Sequence, residues 1–175
     1  PISPADKLVS LSLASTDRRI ADDLPVTPAF VFAALLWYPF TAEKRKLEQE
    51  GLNRMEATDE ALASILAKQQ VITSIPRRFS GPMRDIFLLQ SRLHNTRGKK
   101  PFLLINHKRF RAAYDFLLLR EQAGEKLKDL GEWWTRFQDS NESDRQTMSR
   151  TSGISSGRRR RPRRRKKSSG THPSL

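Results

Sequence analysis

The sequence predicts an all-α fold, an irregular bundle of about seven or eight short helices, followed by a disordered basic tail. Three observations carry that expectation. Apolar residues recur at helical spacing through most of the chain up to Ser140. Convincing period-2 alternation and Asn-Gly or Asp-Gly hairpin turns are missing. Beyond Ser140 the apolar residues nearly vanish, leaving Met148, Ile154 and Leu175.

The elements follow in order. Ser3-Pro4 places an N-cap and a first-turn proline ahead of a short helix that runs to about Ala14. Thr27-Pro28 does the same for Ala29–Tyr38, which is apolar all round and therefore expected as a buried central helix ended by Pro39. Thr41 then caps Ala42–Glu50, with Gly51 as its stop. A helix from about Thr58 to Ile72 sets Leu62, Ile65, Leu66 and Gln69 on one stripe, and Ile75-Pro76 breaks it. Pro82–His94 aligns Met83, Ile86, Leu89 or Gln90, and Leu93. After the Arg97-Gly98-Lys99-Lys100 turn, Pro101–Ile105 reads as a short helix. Lys108–Ala123 aligns Phe110, Tyr114, Leu117 and Leu118, and Glu125–Gln138 aligns Leu127, Leu130, Trp134 and Phe137. Trp133, Trp134 and Phe137 could stack on unpaired bases, but their register with Leu127 and Leu130 favours core packing.

Charge divides the chain in two. It has 175 residues, 33 Lys and Arg against 19 Asp and Glu, a net charge of +14 and a pI near 10.9. Residues 141–175 hold eleven of the cations and only two of the carboxylates. Such a segment cannot bury enough surface to offset the entropy of ordering it, so 140–175 is expected to be disordered. Within it, Arg158, Arg159, Arg160, Arg161, Arg163, Arg164, Arg165, Lys166 and Lys167 surround a single proline. Mutual repulsion keeps such a run extended, and guanidinium forks take phosphate bidentately, so it is expected to hold a polyanion by charge rather than by sequence. In the body, cations gather at helix junctions: Arg77 and Arg78, then Arg97, Lys99 and Lys100, then Lys108, Arg109 and Arg111. Beside helix N-termini these are candidate phosphate contacts.

Several function classes are excluded or weakened. The chain contains no cysteine, which rules out a disulfide framework, thiolate-bound metal and a thiol nucleophile, and fits a reducing compartment. The longest apolar run, Ala29 to Tyr38, falls short of the ~18 residues of a membrane span. No secretory leader opens the chain, and a first residue of Pro rather than Met predicts a processed product or a fragment. There is no phosphate-binding glycine loop, no His-Glu-x-x-His and no nucleophile elbow. His94, His107 and His172 have no ligand spacing, and Asp22-Asp23 lacks a third carboxylate for magnesium. Catalytic and metal-binding residues are therefore expected to be absent from this chain.

Four stretches together carry a resemblance. Val26-Thr27-Pro28-Ala29-Phe30-Val31-Phe32-Ala33-Ala34-Leu35-Leu36-Trp37-Tyr38-Pro39 resembles the "NPAFLFAA-hydrophobic-WYP" stretch of the bacterial poly(A) polymerase I family. Ile75-Pro76-Arg77-Arg78 with Met83-Arg84-Asp85-Ile86 and Leu89-Gln90, Arg109 through Arg120, and Glu132 through Gln138 follow in the family's order, ahead of an Arg-rich tail that matches in kind. At 41–70 only the helical pattern is kept.

The resemblance implies a C-terminal region of a polynucleotide adenylyltransferase: the end of a neck-like helical segment (1–24), a helical body (25–139) and an arginine-rich extension (140–175). It implies single-stranded RNA 3′ ends as partner, gripped while an N-terminal head not in this sequence transfers AMP from ATP with Mg²⁺. The further expected partners are that head and proteins of the RNA-decay machinery, in the cytoplasm. A CCA-adding tRNA nucleotidyltransferase shares the head but not usually this body pattern, and stands second within the family. A protein-interaction module, with the tail incidental, and a membrane-surface binder are the rival classes. No segment pairs Lys or Arg edges with a wide apolar face, which weakens the last.

Overall fold

A computed structural model of the chain describes residues 2–151. Among them are eight α-helices and no strand: α1 (Pro4–Ala21), α2 (Pro28–Gln49), α3 (Arg54–Gln70), α4 (Ser80–Leu93), α5 (Lys100–Ile105), α6 (Phe110–Gln122), α7 (Leu130–Asp139) and α8 (Glu142–Thr151). A 3₁₀ turn, Arg77–Phe79, leads into α4. The all-α expectation is met, and four boundaries differ for identifiable reasons.

Helix α1 runs a further two turns past Ala14. Its Ser and Thr residues are satisfied within the helix, Ser12 Oγ donating to the Val9 carbonyl at 2.8 Å and Thr16 Oγ1 to the Ser12 carbonyl at 2.9 Å. It stops where Asp23 turns left-handed (φ 54°), with the Leu24 N–H returning to the Arg19 carbonyl and the Asp23 N–H to the Ile20 carbonyl. Pro39 does not end the second helix. α2 passes through it, and Thr41, expected as a cap, instead donates to the Tyr38 carbonyl at 3.0 Å. Proline deprives the Leu35 carbonyl of its partner, but Leu35 is exposed, so water can serve it, while Trp37 and Phe40 on the buried side hold both flanks in the core. α3 starts four residues before Thr58, because Asn53 and Glu56 form a reciprocal capping box. α7 starts at Leu130 rather than Glu125, since Lys128 (φ 55°) and Asp129 (φ 58°) are both left-handed and no helix crosses them.

A fifth difference concerns the expected tail. Residues 142–151 form α8, so disorder from Ser140 onward is not what the structure has. Asn141 caps the helix, its Oδ1 accepting from the Asp144 N–H at 2.9 Å. Arg145 then donates to the Phe137 and Gln138 carbonyls, both at 2.7 Å, serving the open end of α7. Ser149 is buried, and its carbonyl accepts from the Gly98 N–H at 3.1 Å. Arg158–Lys167 lies outside the described residues.

Two apolar clusters fill the interior. The first joins α1, α2, α3, α4 and α6 around Trp37, Phe40, Phe87 and Phe116, with Phe40 and Phe87 stacked at 4.2 Å between centroids. The second joins α4, α5, α6 and α7 around Phe110, Trp134 and Phe137, with Met148 of α8 packed against it. Trp134 and Phe137 are fully buried, so the core alternative holds for them, and Trp133 stacks on Phe137 at 4.9 Å. α4 and α6 serve both clusters. Where they do so, a polar network crosses between them. Arg120, 6% exposed, pairs with Glu125 (2.7 Å), donates to Gln90 Oε1 (2.9 Å) and lies 4.3 Å over the Trp37 ring. Gln90 Nε2 donates to the Ala113 carbonyl, and Trp37 Nε1 to Glu125 Oε1 at 2.9 Å. The Tyr38 phenol lies beside this network; burial, then the Glu125 charge, push it up to about 12.

Candidate nucleic-acid interface

The expected phosphate contacts fall into three places. Arg77 and Arg78 occupy the 3₁₀ turn before α4, exposed, with Arg78 spread 4.7 Å over the Phe79 ring. Arg97 and Lys99 stand exposed on the turn before α5, and Lys100 is that helix's exposed first residue. That turn is fixed rather than loose: Gly98 adopts φ 65° and gives its N–H to α8. Lys100 also borders a depression with Arg92, Asn95, Leu103 and His107.

The third place is a cleft of about 230 Å³, and it gathers Lys108, Arg109 and Arg111. Its walls come from the second half of α1 (Ser15, Thr16, Arg19), the connection into α2 (Pro25, Val26, Thr27), Phe30 of α2, and Pro82 and Ile86 of α4. Arg19 was not among the residues expected here. The sequence places the end of the first helix near Ala14, which leaves Arg19 beyond it in a connection with no cleft in view. Its Nε and Nη2 donate to the Pro25 carbonyl at 3.0 and 2.9 Å, which pins the α1–α2 connection against the cleft. His107 does positioning work as well, its Nδ1 accepting the Arg109 N–H at 3.1 Å. The cleft and the Lys100 depression thus lie on either side of one short turn, 106–109.

Charge in the cleft is incompletely balanced. Arg111 pairs with Asp115 at 3.1 Å, and Arg109 Nε is 3.8 Å from Asp85. Lys99, Lys100, Lys108 and Arg77 make no ion pair with any described residue. Burial pushes the Asp115 carboxyl up, against the pull of Arg111 and Arg19. Its folded value therefore lies above its unfolded one. The stabilising contribution is whole below that unfolded value, near 3.8, and is lost as pH rises through the folded value. Asp115→Asn should accordingly gain stability relative to the parent between acidic and neutral pH, read as the difference in urea midpoints across that range. A difference that does not move with pH would contradict the burial argument.

Among the described residues no three His, Asp or Glu side chains converge as a group that could hold a metal ion. No helix among them is long and apolar enough to cross a membrane.

Fold and site define an all-helical module whose cations stand at its corners and in one cleft, with an arginine-rich run beyond. A family model described as polymerase A arginine-rich C-terminus matches residues 50–168, and the chain belongs to that family. The chain is 38% identical over 149 residues to poly(A) polymerase I of Escherichia coli O6:H1, covering 83% of this chain and 32% of the relative. It is 37% identical over 139 residues to that of Salmonella typhi (78% and 30%) and 36% over 146 residues to that of Haemophilus influenzae (82% and 32%). The chain thus spans about a third of the length of the curated relatives it matches.

Proposed function

We propose that this chain is the RNA-holding part of a poly(A) polymerase. Its helix corners and cleft take phosphates just upstream of an RNA 3′ end, and the arginine run raises the local concentration of RNA. A nucleotidyltransferase head outside this sequence supplies ATP, Mg²⁺ and the transfer of AMP, in the cytoplasm. The supporting observation is the convergence of Lys108, Arg109 and Arg111 with Arg19 on one cleft, in a chain whose relatives are named poly(A) polymerase I.

The test is the salt dependence of single-stranded RNA binding. Each neutralised phosphate contributes about −0.7 to the log–log slope, so nine cations in 158–167 allow a contribution down to roughly −6. Deleting 158–167 should flatten the slope by several units while the helical circular dichroism signal changes little. A slope that stays put removes the clamp role.

A further inference from the structure

The cleft has features that a surface track for an RNA backbone does not need. Four cations, Arg19, Lys108, Arg109 and Arg111, border it against one carboxylate, Asp115. The Nε of Arg109 is buried and makes no hydrogen bond among the described residues, its ion-pair partner Asp85 standing 3.8 Å away, so its hydrogen-bonding capacity is left unused. Two long helices, α2 and α6, begin at the cleft, and neither has a side-chain cap. Thr27, placed to cap α2, leaves its hydroxyl unused for that purpose. Two positive dipole ends thus converge with the cations on one concavity. Apart from Ser15 and Thr16, the remaining lining is apolar: Pro25, Val26, Phe30, Pro82, Ile86 and Ala112. An inorganic anion would leave that part of the lining uncovered, whereas a phosphate carrying a flat, weakly polar group would cover both.

We infer that the cleft between α1 and the starts of α2 and α6 is a discrete site for one nucleotide unit, its phosphate held by Lys108, Arg109 and Arg111 and its base covered by the Val26–Phe30 and Pro82–Ile86 walls. The inference rests on the RNA-holding function proposed above and deepens it: one nucleotide is seated in a pocket, while the others are held by charge alone.

The experiment uses the full chain, with adenosine 5′-monophosphate, adenosine and inorganic phosphate as separate probes in ¹H–¹⁵N NMR titrations. The monophosphate should bind saturably and shift amides of Arg19, Thr27, Ala29, Phe30 and Lys108–Ala112, and should bind about tenfold tighter than either adenosine or phosphate. Lys108→Ala with Arg111→Ala should weaken it about tenfold with the helical signal kept. Asp115→Asn, which removes the carboxylate that lines the cleft, should tighten it; this gain cannot come from misfolding. Shifts confined to other surfaces, or an affinity indifferent to all three substitutions, overturn the site. If the nucleotide misses the cleft while deletion of 158–167 still flattens the RNA salt slope, the site falls and the RNA-holding function stands. If the slope does not move while the nucleotide seats in the cleft, the clamp falls and the site stands.

Discussion

Arg120→Ala is expected to lower the unfolding free energy by roughly 3–5 kcal/mol, the cost of stranding a buried charge partner. Removing the guanidinium leaves Glu125 with the Trp37 indole N–H, leaves Gln90 Oε1 without its donor, and strips the cover from the Trp37 ring. Glu125→Ala should cost a comparable amount for the mirrored reason, since Arg120 is the less exposed of the two. The informative variant replaces both. Arg120→Met with Glu125→Leu removes the charges together and should cost less than either alanine substitution, because neither charge is then left uncompensated. Urea unfolding of the four proteins reads this directly. Single-variant losses below about 1 kcal/mol would show that the network is solvated rather than buried.

Trp134→Ala should be as damaging, by about 3–5 kcal/mol, through a different mechanism. The indole is fully buried, contacts the rings of Phe110, Trp133 and Phe137, and donates through Nε1 to the Leu93 carbonyl at 2.9 Å. That carbonyl closes α4 and has no helical N–H to receive. Trp134→Phe separates the contributions: it keeps most of the ring volume and gives up the hydrogen bond, so it should cost about 1–3 kcal/mol. Equal losses for the two variants would mean that the hydrogen bond, not the packing, dominates.

The sequence made the packing legible where one helix buries one stripe. Leu62 and Ile65, Met83, Ile86, Leu89 and Leu93, and Phe110, Tyr114 and Leu117 are all buried as their spacing requires. It was less informative where the deciding partner is distant. Arg120 reads as one more surface cation at the end of a helix, and only the pairing of α4 with α6 brings Gln90 to it across 30 positions. Pro39 looked like a terminator because local propensity ignores what Trp37 and Phe40 gain on either side. The signal for α8 was present but short: Asn141 followed three residues later by Asp144 is a cap, in a segment too polar to suggest burial. Of the cleft, 108–111 was visible as a cationic junction. Arg19 and the apolar walls were not, since they come from three other elements.

The sharing of α4 and α6 by both clusters has a consequence for how the molecule comes apart. A boundary between independently melting halves would have to cut through two helices, passing Gln90 and Arg120 and breaking their hydrogen bonds as it went. Opening one half therefore deprives the other of its own framework, and denaturation is a single cooperative event. Trp37 reports on one side and Trp134 on the other, so their fluorescence transitions in urea coincide.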